Sequence, residues 1–148
     1  MLQVMERPAG AVTLFLMRGN SFIMLKRHGS HGAGCWGLLG GGMDFGETIA
    51  EAAARECLEE CGVVIDPATV RIGTVTNDRF PRDGKHFINV FVSADLPRRA
   101  EPRIMEPGKA TDIGWFTVDS LPSPLFAPLH AFFRQSVLPP FHALEVGV

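Results

Sequence analysis

The chain has no apolar run approaching the roughly 18 residues that a membrane-spanning helix needs. Its opening, MLQVMERPAG, holds neither the hydrophobic core nor the cleavage pattern of a signal peptide. A surplus of positive charge is also missing: 14 lysines and arginines stand against 16 acids, for a formal net charge of -2 and a pI near 6.2. A protein that grips a phosphate backbone needs a basic stripe, so neither a nucleic-acid polymer nor a membrane is expected as a partner, and a cytoplasmic location is the expectation. Cysteine is scarce. Cys35, Cys57 and Cys61 form an odd set without framework spacing, which fits reduced thiols. Cys57 and Cys61 are four apart and raise the thought of a zinc site with His31, but no second paired set of ligands exists, and small buried apolar residues are the preferred reading. Repeats and composition breaks are absent too. With 46% hydrophobic and 20% charged residues, residues 1–148 read as one domain with a real core.

What is present is a mixture of strand and helix signals. Ala11 to Met17 and Ser21 to Lys26 are β-rich runs separated by Gly19 and Asn20, a pair suited to a tight hairpin. His28 to Gly34 is a glycine-rich loop, followed by the short apolar run Trp36 to Leu39 and three glycines, Gly40, Gly41 and Gly42. The order of a phosphate-binding P-loop is not there, so these glycines indicate only sharp turning of the backbone. From Thr48 to Cys61 the composition switches to helix formers, with Thr48 and Glu51 at the positions of a capping box and Gly62 as the stop. Val70 to Val75 and His86 to Ala94 read as strands joined by a polar loop around Asn77 to Lys85. A last short strand is expected near Trp115, and an amphipathic helix at Leu129 to Val137; Pro139 to Val148 carries no clear element. Strands before, around and after two helices predict an α/β fold of the α+β kind, a mixed β-sheet with helices packed on its faces.

The predicted helix ends in Arg55-Glu56-Cys57-Leu58-Glu59-Glu60, which sets three carboxylates at i, i+3 and i+4. Side chains so spaced share a helix face, where like charges repel by roughly 0.2–0.5 kcal/mol per pair. In the last turn they also meet the negative end of the helix dipole, at roughly 0.3–1 kcal/mol each. A helix built only for stability would carry lysines there. A bound hard cation such as Mg²⁺ or Mn²⁺, which prefers oxygen ligands, is the simplest compensation. The competing reading is a solvated acidic face, and composition alone would favour it. The frame around the glutamates tips the balance: Gly41, five residues, Glu47, seven residues, Arg55-Glu56, two residues, Glu59-Glu60, one residue, Gly62-Val63.

That frame resembles the Nudix box, G-x5-E-x7-R-E-U-x-E-E-x-G-U with U aliphatic, and departs from it only at the first U, where Cys57 stands. A thiol is a small hydrophobe, so the departure concerns packing and leaves the chemistry alone. The likeness extends to KRHGSHGAGCWGLLGGGMDFGE, which is similar to the approach to the box in MutT-like nucleoside triphosphate diphosphatases. EPRIMEPGKATDIGWF resembles a later segment of the cytosolic members that sanitise modified nucleotides. Where such enzymes usually read L-P-G-G, this chain has Leu38-Leu39-Gly40-Gly41, and a looser turn is expected.

The resemblance implies a Nudix-type α/β/α sandwich and a Mg²⁺ ion, replaceable by Mn²⁺, held by Glu56 and Glu60 with Glu59 as a further ligand and the Gly40 carbonyl completing the site. It implies that Glu47 and Arg55 position this cluster, and that the general base is Glu59 or Glu56, with Glu106 of the MEPGK segment a candidate ligand or base. Gly41 would lie against the substrate, and Arg27, Leu38 and Asn89 would recognise its base. For Arg27 an ordinary surface arginine stands as the alternative, and for Leu38 a plain core position. Phe87 and Phe126 are candidates to stack on a base, with core packing the competing reading. Relatives are expected to carry Trp-Gly where this chain has Ala127-Pro128, which weakens the inference of an identical substrate. Lys85 and Arg82 read as a solvated loop, and the loop histidines are left out of catalysis. The implied activity is hydrolysis of a nucleoside triphosphate, oxidised or otherwise modified, to the monophosphate and pyrophosphate. The alternatives are a diphosphatase for ADP-ribose, a nucleotide sugar or dihydroneopterin triphosphate, and a non-catalytic nucleotide sensor. Related enzymes are often dimers, and the apolar tail VLPPFHALEVGV offers a surface for a homodimer.

Overall fold

The structure is a computed structural model, and it describes residues 7–29 and 31–135. Strands β1 (Ala9–Arg18) and β2 (Ser21–Arg27) form the expected hairpin, with Met17 opposite Phe22 and Arg18 opposite Ser21. Gly19 takes φ +59° in the two-residue turn, a conformation that costs a residue without a Cβ little. Short strands β3 (Trp36–Gly37) and β4 (Leu39–Gly42) follow, then helix α1 (Ile49–Cys61), strands β5 (Arg71–Phe80), β6 (Lys85–Asp95) and β7 (Ala110–Phe116), and helix α2 (Ala127–Gln135). The strands make one mixed sheet in the order β3-β2-β1-β6-β5, with β4 joined to β1 and β7 to β2. The pairing of β1 with β6 is parallel, from Ala9 opposite Phe87 to Met17 opposite Asp95.

Alternation along β1 divides the core into two layers. Val12, Leu14 and Leu16 face one side and pack with Ala52, Ala53, Cys57 and Cys61 of α1. Phe15 and Met17 face the other and pack with Leu129 and Phe132 of α2. Phe132 stacks on Phe91 with ring centroids 4.1 Å apart. A helix on each face of the sheet is the α/β/α sandwich expected. Cys57 is fully buried, as its place in the aliphatic position requires, and its Sγ lies 3.8 Å from that of Cys61 in the core layer under α1.

Three expectations change. The polar loop around Asn77 to Lys85 is instead the pairing end of β5 and β6, interrupted only by a 3₁₀ turn at Pro81–Asp83. Thr76 pairs with Asn89 and Asp78 with Phe87, so the polar residues alternate along an edge strand whose inner face lines a cavity rather than a dry core. Strand β4 is not a looser turn. Gly40 and Gly41 pair with Thr13 and Val12, and a Cβ on Gly40 (φ +152°) would meet the Val12 carbonyl oxygen at 2.1 Å, so β1 sets the path that a proline sets elsewhere. Finally, α2 begins at Ala127, with Pro128 in its first turn where a missing N–H costs nothing. Val137 and the tail at 139–148, on which the dimer expectation rests, lie outside the described residues.

Candidate active site

Helix α1 starts where the sequence indicates, with the Thr48 hydroxyl accepting from Glu51 N–H at 3.1 Å and Gly62 closing the helix in the left-handed region. Burying Ala53, Cys57 and Cys61 turns Glu56 and Glu60 toward β4. Glu60 Oε1 accepts from Gly40 N–H at 2.7 Å, and the Glu56 carboxylate lies so close to Gly41 that a Cβ there would be 2.5 Å from Oε1. The bare backbone of β4 thus makes room for two carboxylates. The structure records the amide of Gly40 at this point, bound to Glu60.

Arg55 ties the remaining glutamates together. Its Nε and one terminal nitrogen grip Glu47 as a fork, at 2.7 and 2.9 Å, while the other terminal nitrogen donates to Glu56 at 2.9 Å and to Glu59 at 3.3 Å. It also donates to the Gly42 carbonyl at 2.9 Å, which links the helix to β4. Such a fork is a strong, directional pairing. The Glu47 carboxyl is held below its ordinary value by these bonds and by the Asp44 N–H, and the guanidinium is held above its own. Glu59 shares one Arg55 nitrogen with Glu56 and is the more exposed of the two, its side chain 48% exposed against 13% for Glu56.

Glu56 and Glu60 open into a hollow of about 320 Å³ that Glu106 and Lys109 also line, Lys109 pairing with Glu106 at 3.3 Å. Burial pushes Glu60 up to about 8, with Glu56 and Glu106 adding to the rise and the Gly40 N–H opposing it. Burial also raises Glu56, against the pull of Arg55. Three acidic side chains around one partly dry hollow are an all-oxygen set whose mutual repulsion a hard divalent cation relieves. Among the described residues no three acidic, histidine or cysteine side chains already converge as ligands, because Arg55 and the Gly40 amide hold Glu56, Glu59 and Glu60. The residues suit such an ion in chemistry.

A second cavity of about 260 Å³ adjoins the first across Arg27, Leu38 and Gly40 to Gly42. Its walls include Phe80, Phe87 and Phe126, with Asn89, Asp78, His31 and Lys85 among its polar groups. Three of the residues singled out for base recognition, Arg27, Leu38 and Asn89, therefore share one space, and Leu38 lines it even though it is buried. Arg27 sits at a bulge between β2 and β7, its guanidinium 4.2 Å above the Phe126 ring and its Nε donating to the His31 carbonyl at 2.8 Å. This is not an ordinary surface arginine. Pro128 also lines the cavity, in the segment where Trp-Gly was expected of relatives. Sequence reasoning missed Asp78, Phe80 and the pairing of His31 with Asp83 (2.7 Å), because it took Asn77 to Lys85 for a loop. Thr76 to Arg79 are four polar residues in a row, so the sequence carried no strand alternation there.

Comparison with known proteins agrees with this geometry. An oxidized purine nucleoside triphosphate hydrolase of Danio rerio is 30% identical over 113 residues, which cover 75% of this chain and 67% of that protein. An ADP-ribose pyrophosphatase of Methanocaldococcus jannaschii is 33% identical over 89 residues, 60% of this chain and 52% of that one, so the chain spans about half to two thirds of these relatives' length. A solved MutT NUDIX hydrolase from Burkholderia pseudomallei superposes with a TM-score of 0.79 at 30% identity, covering 89% of this chain and all of that one (100%). The NUDIX domain itself matches residues 6–138, which takes in both cavities and the helix between Thr48 and Gly62, and the chain belongs to the Nudix family.

Proposed function

We propose that the chain is a divalent-metal-dependent hydrolase that cleaves the phosphoanhydride of nucleoside triphosphates, modified or oxidised ones among them, releasing the nucleoside monophosphate and pyrophosphate, as in clearance of damaged nucleotides. The observation that carries this is the joining of two unlike spaces at one lip. The glutamate hollow suits a cation and the charged phosphates, the aromatic cavity suits a base, and Arg27 with the backbone of Gly40 to Gly42 lies between them. A nucleoside di- or triphosphate has that same division. The likeness to the purine nucleoside triphosphate hydrolase of Danio rerio supports the reading.

Nudix hydrolases generally use divalent metal ions, and here Mg²⁺ would be held by Glu56 and Glu60, with Glu59, Glu106 and the Gly40 carbonyl as further candidate ligands. Bound there, the ion supplies neutralisation of the phosphate charge and a lowered pKa for water. The chain's own residues do the positioning. Arg55 fixes Glu47, Glu56 and Glu59 relative to β4, the Gly40 amide fixes Glu60, and Arg27 screens phosphate oxygens at the lip. A carboxylate of Glu59 or Glu56, or that of Glu106, accepts the proton of the attacking water. Leu38 and Gly41 shape the passage between the cavities, and Asn89 faces the base.

A second reading, cleavage of ADP-ribose, is favoured by the likeness to the pyrophosphatase of Methanocaldococcus jannaschii. A panel of nucleoside triphosphates, ADP-ribose, nucleotide sugars and dihydroneopterin triphosphate, assayed for pyrophosphate and phosphate, separates the two; preferential release of AMP from ADP-ribose would sink the first. The Glu60→Gln variant should remain folded and lose roughly 100-fold or more in turnover. Turnover at the wild-type rate would remove Glu60 from the metal site, and nucleotide binding without turnover by the wild-type chain would favour a sensor.

A further inference from the structure

The aromatic cavity has a polar end that the assignments above leave unused. Asp78 reaches it from β5 and Asn89 from β6, and a short chain of hydrogen bonds through Thr13 and Asn89 leads to Asp78. The Thr13 hydroxyl oxygen lies 3.0 Å from Asn89 Oδ1, to which it can donate, and 2.9 Å from Asn89 Nδ2, from which it can accept, while Asn89 Nδ2 also donates to Asp78 Oδ2 at 3.2 Å. Asn89 is buried, so these two partners fix its amide. The chain of donors ends on the Asp78 carboxylate. Among the described residues no lysine, arginine or histidine forms an ion pair with it. A carboxylate offers about four acceptor positions. Among the described residues only one of them is filled, in a space walled by Phe80, Phe87 and Phe126.

His31 adds to the same imbalance. Its Nδ1 lies 2.7 Å from Asp83 and must carry the proton of that contact, which leaves Nε2 as a lone pair, buried and without a partner. Burial holds the imidazole below its ordinary value, Asp83 opposing this and Arg27 and Lys85 adding to it, which favours the neutral ring. Acceptors without donors, between aromatic rings, describe a site that waits for a flat ring bearing N–H groups.

We propose that Asp78 is a specificity-determining residue, which reads the base of the nucleotide by accepting from two adjacent N–H donors and so selects a 2-amino-6-oxopurine, a base of the guanine type, over adenine. This rests on the nucleotide hydrolase reading above. Guanine carries a ring N–H and an exocyclic amino group side by side, matched to the two oxygens of one carboxylate. Adenine presents an amino group beside a ring nitrogen lone pair, which would face a carboxylate oxygen with no proton between them.

The test is the binding of α,β-methylene analogues of GTP, ITP and ATP to the full chain in Mg²⁺ by titration calorimetry, for wild type and Asp78→Asn. Wild type should bind the GTP analogue at least about tenfold more tightly than the ATP analogue, with the ITP analogue, lacking the amino group, in between. In Asp78→Asn the amide offers one donor and one acceptor, so the preference should collapse or invert toward the ATP analogue. Equal wild-type affinities for the three, or an Asp78→Asn variant that binds and keeps the wild-type ratio, overturns the assignment. The wild-type comparison of GTP and ITP analogues decides it even if the variant does not fold. Hydrolysis of the same bases' triphosphates is followed in parallel: turnover without base preference overturns Asp78 alone, whereas neither binding nor turnover overturns the hydrolase reading with it.

Discussion

At the scale of single residues, the site is governed by how its carboxylates are held apart. Glu60 is the extreme case, buried and pushed up to about 8. Between its ordinary value of 4.5 and about 8 the unfolded chain has lost this proton while the folded, metal-free chain keeps it. The stability associated with Glu60 is therefore fully present below the ordinary value and is lost as pH rises through about 8. Melting temperatures of the chelator-treated protein should fall by several degrees between these limits, and a saturating divalent ion, by binding the ionised form, should remove most of the slope. A metal-free profile that is flat, or that rises, contradicts the burial argument. Arg55 gives a second test. Lysine cannot reproduce its fork on Glu47 while also reaching Glu56, Glu59 and the Gly42 carbonyl. Arg55→Lys should lower turnover roughly 10–100-fold in steady-state assays, as expected for a group that positions metal ligands.

At the scale of elements, strand β4 connects the two cavities, and its geometry depends on glycine. A Cβ at Gly40 would collide with the Val12 carbonyl and is disfavoured by the backbone angle as well. Gly40→Ala should cost about 2 kcal/mol or more in denaturant unfolding and should reduce turnover, because the same residue's amide holds Glu60. On the other face, α2 is anchored by Phe132 on Phe91 and Phe15. Phe132→Ala should lower unfolding free energy by about 3 kcal/mol, measured the same way. The legibility of these elements from sequence differed for physical reasons. Helix α1 announced itself through Thr48, Gly62 and the glutamate spacing, all local signals. The inner ends of β5 and β6 did not, because their polar residues face a cavity, and a strand that lines a wet space reads like a loop. The order of β4 was hidden for a related reason: it derives from pairing with Val12 and Thr13, far away along the chain.

At the scale of the whole molecule, the sheet does two jobs. One face, with α1, carries the glutamates, and the other, with α2 behind it, leaves open the aromatic cavity whose floor is Thr13 and Asn89 and whose walls come from β5, β6 and the start of α2. The spacing from Gly41 to Val63 made the first half legible, since the helix period alone brings Glu56 and Glu60 to one side. It also suggested Glu59 there, and Arg55 holds Glu59 with the same nitrogen that holds Glu56. The second half was legible only in part, because Arg27, Leu38 and Asn89 come from three separate strands and meet Asp78, Phe80 and His31 only through the sheet order. The central claim, that the two spaces together cleave a nucleoside triphosphate between its first and second phosphorus atoms, is tested most directly by phosphorus NMR of GTP incubated with the protein and Mg²⁺. The account predicts GMP and pyrophosphate in equal amounts; GDP with orthophosphate, or no change for any nucleoside triphosphate, would contradict it.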